Sequence, residues 1–255
     1  MKIWTLIENT ACQDHLTAEH GLSLYMEACG KKILFDTGKT CAFADNAEKM
    51  GIDLTQVDLC ILSHGHYDHG GGISRFLEIN STAPVYLRQE AFGDHYSSGK
   101  YIGLDPALKH HPHLIPVSSD ITLGEGIRLC SCNNKPRPFP FGVFGQTVGD
   151  LPETYLHEQY LLLEERGKTV CVSGCSHKGI LNIAHWFQPD VLIGGFHFIR
   201  IPAEDPILTD YARQLLSFPT QYYTCHCTGQ QQYAVLKQHM GSRLEYLSAG
   251  SSITL

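Results

Sequence analysis

Val57-Asp58-Leu59-Cys60-Ile61-Leu62-Ser63-His64-Gly65-His66-Tyr67-Asp68-His69-Gly70-Gly71-Gly72 is the stretch that decides the reading of this chain. Val57 to Leu62 has the length and apolar character of a buried strand. It runs directly into His64, His66, Asp68 and His69, so these four side chains lie just past a strand end. A neutral imidazole offers one nitrogen lone pair and a carboxylate offers a hard oxygen. Four such groups within six positions, flanked by glycine, point to metal binding rather than to a solvated polar turn. Gly70 to Gly72 then releases the chain into a helix whose buried stripe is Ile73, Phe76 and Leu77.

Upstream, Ile3 to Ile7, Leu22 to Ala28 and Lys32 to Phe35 are strand candidates, the last two joined across Cys29-Gly30-Lys31, so the chain opens antiparallel. A helix is expected from Thr40 to Met50, stopping at Gly51. Downstream, a hairpin of Tyr160 to Glu164 and Thr169 to Ser173 turns at Arg166-Gly167 and leads into Gly174-Cys175-Ser176-His177-Lys178-Gly179. The helix after it shows Ile180, Ile183, Ala184 and Phe187. Two units that each end a buried strand in a histidine loop and restart as a helix suggest two related halves facing each other.

Val191 to Ile193 before Gly194-Gly195-Phe196-His197, and Tyr222 to Cys225 before His226, give two further short strands that end in histidine. His177 and His226 therefore fall at the strand edge where α/β proteins place their sites. His197 has the same placement, although Phe196 and Phe198 beside it fit a packed histidine equally. The regions 92–120 and 133–158, rich in Gly, Pro, Tyr and His, are expected to be loop insertions over the site.

The 255 residues are read as one domain, 1–255, with 43% hydrophobic and 18% charged residues, enough apolar material for a sizeable core. A formal net charge of -7 without a Lys/Arg cluster argues against a nucleic-acid partner. No apolar run approaches the roughly 20 residues that cross a bilayer, and Met1 to Thr10 lacks a signal-peptide core, so no membrane partner and a cytoplasmic location are expected. The ten cysteines are spread through apolar runs and are read as reduced core thiols. Cys130-x-Cys132 and Cys225-x-Cys227 lack the two-residue gap common in zinc knuckles.

His64-x-His66-x-Asp68-His69, with Asp36-Thr37-Gly38 before it, resembles the signature of the metallo-β-lactamase superfamily, and the likeness spans nearly the whole chain. Glu19-His20-Gly21-Leu22-Ser23, Gly174-Cys175-Ser176-His177, Gly194-Gly195-Phe196-His197 and His226-Cys227-Thr228-Gly229 resemble the branch typified by dihydropterin ribofuranosylaminobenzene phosphate synthase. The resemblance implies an α/β fold, a four-layer αβ/βα sandwich of two mixed β-sheets flanked by helices. It implies two divalent metal ions, zinc being the first choice and iron or manganese the alternatives. One ion would take His64, His66 and His177, the other Asp68, His69 and His226, with Asp36 orienting a ligand from behind. Many members supply a bridging Asp after a late strand, where this chain has Gly194-Gly195-Phe196-His197. His197, water or substrate would then complete the second site.

A metal pair lowers the pKa of a shared water toward about 7, so hydrolysis by a metal-bound hydroxide is the expected reaction. Asp68 is the candidate catalytic residue to accept or orient the water proton. The positive charge left on such a cluster favours a small anionic substrate. A pterin-type transferase and a non-enzymatic metal or ligand sensor are the alternatives. Lys178 is a candidate for a substrate anion, and Glu19 and His20 for metal or substrate. Tyr96, Tyr101, His110, His111, His113, Lys135, Arg137, Phe139, Phe141 and Phe144 are candidates for an aromatic and basic lid. Nothing in the sequence fixes the oligomeric state.

Overall fold

The computed structural model describes residues 1–140 and 145–255. Phe141 and Phe144, two of the lid candidates, lie outside the described residues.

The strands of the first half are β1 (Lys2–Ile7), β2 (Ser23–Ala28), β3 (Lys31–Phe35), β4 (Leu59–Ile61), β5 (Val85–Arg88), β6 (His95–Ser97), β7 (Lys100–Tyr101) and β8 (Leu114–Val117). Those of the second are β9 (Ile121–Gly124), β10 (Ile127–Cys130), β11 (Gln146–Val148), β12 (Leu151–Pro152), β13 (Tyr160–Glu165), β14 (Lys168–Val172), β15 (Val191–Ile193), β16 (Gln221–Thr224), β17 (Leu244–Tyr246) and β18 (Ser252–Thr254). Helices α1 (Ala42–Lys49), α2 (Tyr67–Gly70), α3 (Ile73–Ile79), α4 (Ile180–Phe187), α5 (Ile207–Leu216) and α6 (Gln230–Met240) fill the gaps between them.

One seven-stranded sheet runs β18-β1-β2-β3-β4-β5-β8 and a second runs β17-β16-β15-β14-β13-β10-β9. Each begins with antiparallel hairpins and continues in parallel: β3 to β4, β5 and β8 in the first, β14 to β15, β16 and β17 in the second. The β13–β14 hairpin closes on a two-residue loop, with Glu165 opposite Lys168 and Arg166 and Gly167 both at positive φ. That geometry matches the right-handed twist of the strands it joins.

Side chains alternate across each strand, and the alternation builds three cores. Leu24, Met26, Ile33, Phe35, Leu59 and Ile61 face Leu161, Leu163, Val170, Val172, Val191 and Ile193 between the sheets. Tyr25, Leu34 and Cys60 point the other way, onto Phe43 and Ala47 of α1 and Ile73 and Phe76 of α3. Tyr160, Cys171, Leu192 and Tyr222 do the same in the second sheet, against Ile180 and Ile183 of α4, Leu208 and Leu215 of α5, and Leu236 of α6. The result is the four-layer αβ/βα sandwich, with the parallel strands directing their C-terminal loops to one edge.

The two regions expected as loops are more regular than that. β8 lies within 92–120 and forms an edge of the first sheet, with Pro116 in it, a position that only an edge strand tolerates. Its mostly exposed centre hides the apolar alternation that would have marked it. β6, β7, β11 and β12 pair across the two regions into a four-stranded sheet, so the two segments hold each other. All ten cysteines are free thiols. No helix among the described residues is long and apolar enough to cross a membrane.

Candidate metal centre

Five turns meet at one edge of the sandwich. Asp36 follows β3, Ser63 to His69 follow β4, Gly174 to His177 follow β14, Gly194 to His197 follow β15, and His226 follows β16. Asp36, Ser176, His197 and His226 hold φ between 50 and 60°, the left-handed region that non-glycine residues seldom adopt. Such backbone persists only where surrounding bonds over-determine it, and at His226 and in the turn after Ser176 two buried carboxylates do so. Glu8 Oε1 accepts the His226 N–H at 2.6 Å and the Tyr246 hydroxyl at 2.7 Å. Glu158 Oε1 accepts the His177 N–H at 2.6 Å, while its Oε2 takes the Lys178 N–H and the Tyr160 hydroxyl.

The tautomers follow from what each imidazole touches. Ser63 Oγ donates to Asp36 Oδ2 at 2.7 Å, because a carboxylate only accepts. The serine oxygen must then accept from His64 Nδ1, 2.8 Å away, which leaves the lone pair of His64 on Nε2. His69 Nδ1 donates to Asp36 Oδ2 at 2.7 Å, and His226 Nδ1 to Asn9 Oδ1 at 2.9 Å, with the same consequence. Asp36 thus aligns two of the histidines at once, and its Oδ1 pins the loop through the Ser63 N–H.

These free nitrogens face one another. His64 Nε2 is 3.3 Å from His177 Nε2, and His69 Nε2 is 3.2 Å from His226 Nε2. Asp68 Oδ2 lies 3.3 Å from His226 Nε2 and 3.9 Å from His69 Nε2. His66 Nε2, buried beside His64 and His177, has no hydrogen-bond partner. A tetrahedral ion with bonds of about 2.0–2.1 Å spaces its donors about 3.3–3.4 Å apart. The donor set therefore fits divalent metal ions, and the converging lone pairs need a cation or a proton between them.

Burial first, and the neighbouring imidazoles next, hold His64 and His177 well below the usual histidine range, and burial takes His66 down to about 3. They are neutral, as ligands must be. Burial also opposes charge on His69, but Asp36 and Asp68 outweigh it and raise this imidazole to about 9. Burial resists ionisation of Asp68, yet His69, His20 and His226 keep its carboxyl well below the carboxylate range.

His64, His66, Asp68, His69, His177 and His226 are thus brought together, with Asp36 behind them. His20 stands half-exposed at the mouth, its Nε2 3.2 Å from Asp68 Oδ2. The His197 ring lies 4.3 Å from that of His177, tilted 53° to it. Two candidates go elsewhere. Glu19 takes the N–H groups of Lys39 and Thr40 and the Thr40 hydroxyl, which folds the loop after Asp36 rather than meeting metal or substrate. Lys178 is fully buried, its ammonium donating to the carbonyls of Ser131 and Glu158, so it meets no substrate anion.

The lid candidates also divide. His110, His111 and His113 precede β8, which runs parallel to β4 through β5, so they lie at the opposite end of the sheet from His64. Phe139 is tied through its backbone to Asn182, and Lys135 sits over Phe187. These contacts pin the loop to α4. Residues that the sequence did not mark as candidates also line the centre. Cys175 Sγ lies 3.1 Å from His69 Nε2. His157 accepts the Gly65 N–H and stacks on His95, whose Nδ1 donates to the buried Glu153.

The fold is the one seen in metallo-β-lactamase-fold structures, and part of the chain matches that superfamily. The model of that superfamily matches residues 16–128. A solved structure described as Tm1679, a metal-dependent hydrolase of the beta-lactamase superfamily, superposes with a TM-score of 0.82 at 27% identity, covering 100% of this chain and 99% of that one. Among curated relatives, a 7,8-dihydropterin-6-methyl-4-(beta-D-ribofuranosyl)-aminobenzene-5'-phosphate synthase of Methanocaldococcus jannaschii is 28% identical over 99% of this chain and 96% of its own. The protein MJ0448 of the same organism is 26% identical over 88% of this chain and 89% of its own.

Proposed function

We propose that this chain is a binuclear metal-dependent hydrolase acting on a small anionic substrate. The observation that carries the reading is the pair of facing lone-pair nitrogens, His64 with His177 and His69 with His226, in a buried pocket that leaves one carboxylate at its mouth. His64, His66 and His177 would hold one ion, and Asp68, His69 and His226 the other. Divalent ions bound there supply Lewis acidity and lower the pKa of water in the site. Zinc suits the histidine-rich set best, and iron or manganese suits it next.

The protein's own contribution is alignment and charge. Asp36, Ser63 and Asn9 keep three imidazoles in the ligand tautomer, and the Glu8 and Glu158 carboxylates fix the loops that carry His226 and His177. Asp68 Oδ2 faces the mouth and is the group that accepts or orients the proton of the attacking water. His20, hydrogen-bonded to it there, can pass that proton to solvent. With Asp68 as the anion facing two dications, the site keeps positive charge and selects an anionic substrate.

Elemental analysis of the purified protein, with His66→Ala and His226→Ala beside it and turnover of a phosphodiester and a lactone on the same samples, tests this. About two metals in the parent, about one in His226→Ala, and lost turnover in both variants are expected. Fewer than one metal in the parent, or turnover untouched by both changes, would sink the reading. The end-to-end likeness to the pterin synthase favours a second reading, a metal-dependent transferase joining a dihydropterin pyrophosphate to an aminobenzene ribotide. Release of pyrophosphate from that substrate pair, without hydrolysis of either alone, would establish it in place of the first.

A further inference from the structure

We propose that the Cys175 thiolate bridges the two metal positions, an inference that rests on ions occupying the two donor sets described above. Cys175 is buried in the turn after β14. Its Sγ is 3.1 Å from His69 Nε2. The same sulfur lies within 4.8 Å of the donor atoms of His64 and His69, of His226 and Cys227, and of His177 and His197. It therefore lies close to candidate ligands of both ions, while Asp68 Oδ2 is turned toward His226 and His20. His66 Nε2, buried and without a partner, independently marks the first set as a place for a cation.

Charge favours the same assignment. Two dications facing one carboxylate in a buried pocket call for a further anion, and a thiol that coordinates a divalent ion is deprotonated outright. On loading, the S–H bond breaks, sulfur–metal bonds form, and one proton leaves to solvent. The turn after β15, Gly194-Gly195-Phe196-His197, offers no alternative anionic side chain between the sets. Gly195 has none, and a Cβ built on it would stand 2.3 Å from Cys227 Sγ. Cys227 instead donates its S–H to the Cys175 carbonyl at 3.5 Å. It is a positioning residue, holding the turn so that the Cys175 sulfur lies between the two histidine clusters.

Cobalt(II) is the probe, because a thiolate bound to it gives a near-ultraviolet charge-transfer band that imidazole and carboxylate ligands do not. The intact chain, stripped and reloaded with cobalt alone, should bind two ions and show the band. Cys175→Ser should lose the band and bind the second cobalt at least tenfold more weakly. Cys227→Ser should keep the band. Cys175→Asp, whose carboxylate can also bridge, should hold two cobalt ions without the band, and it carries the test should the serine variant fail to fold. Two bound cobalt ions with no band in the parent, or a band that survives Cys175→Ser or Cys175→Asp, would overturn the bridge while leaving the two-metal reading in place. A band lost only in Cys227→Ser would also overturn it. Fewer than one cobalt bound by the parent would overturn the two-metal reading itself.

Discussion

Asp36 never touches the ions' side of the pocket, yet its loss should cost most of the metal affinity. In Asp36→Asn one oxygen becomes an NH2 group. If the remaining carbonyl keeps the Ser63 N–H, the amide donates toward Ser63 Oγ and His69 Nδ1, the two atoms that now donate to it at 2.7 Å. His69 Nδ1 can accept from that amide only by moving its proton to Nε2, where the lone pair for the metal had been. Loss of an outer carboxylate of this kind weakens metal binding about 10–100-fold. That is about 1.4–2.7 kcal/mol, and the reversed tautomer puts the expected effect at the upper end. Competition for zinc between the protein and a fluorescent chelator reads this out, with thermal unfolding of the metal-free forms as a control for the fold. Affinity within twofold of the parent, in a variant that melts normally, would refute the tautomer reasoning.

Four further outcomes are expected. Because His69 is held near 9 in the metal-free protein, an ion must displace its proton; apparent zinc affinity should rise about tenfold per pH unit between pH 6 and 8 and flatten above about 9, and a pH-independent affinity would contradict this. The sign for the metal-free fold is opposite: the raised pKa stabilises it fully below the ordinary value of 6.5, and that stability is lost as pH rises through about 9, measurable by denaturant titration in chelator. Gly194→Ala should lower stability by about 3 kcal/mol, since φ is +143° and the new Cβ would meet the Ser173 carbonyl oxygen at 2.0 Å; an unchanged melting temperature would show that the turn yields freely. Lys178→Met should cost about 2–4 kcal/mol by stranding two buried carbonyls, with KM for an anionic substrate within twofold of the parent; a tenfold rise in KM at unchanged stability would return this residue to the substrate.

The chain announces its central strands and its candidate ligands because both are local signals. Leu59 to Ile61 is a continuous apolar run, and His64 to His69 crowd into one turn, so neither needs tertiary knowledge to be seen. The hairpin turned by Arg166-Gly167 is legible for the same reason. Residues whose role depends on a distant partner are silent. Glu8 and Glu158 look like ordinary acids until the fold sets them under the amides of His226 and His177, and Glu19 and Lys178, conspicuous beside histidines, fold away from the site. Cys175 and Cys227 resemble the apolar thiols of the strands, because a thiol that packs and a thiol that ligates are spelled alike. β8 escaped notice because an edge strand with Pro116 and two exposed centres carries no alternation.

The donors come from both halves of the chain. His64, His66, Asp68 and His69 stand on the first sheet, and Cys175, His177 and His226 on the second, so each proposed donor set draws on both halves. Loading the site amounts to fastening the open edge of the sandwich, whereas the apolar layer of Leu24, Phe35, Ile61, Leu161 and Val172 joins the faces behind it. Metal supply then governs more than chemistry. On that reading, a cell short of the ion would hold a protein that lacks this fastening at the end where the turns are most strained, and that end is where chaperones and proteases would find it first.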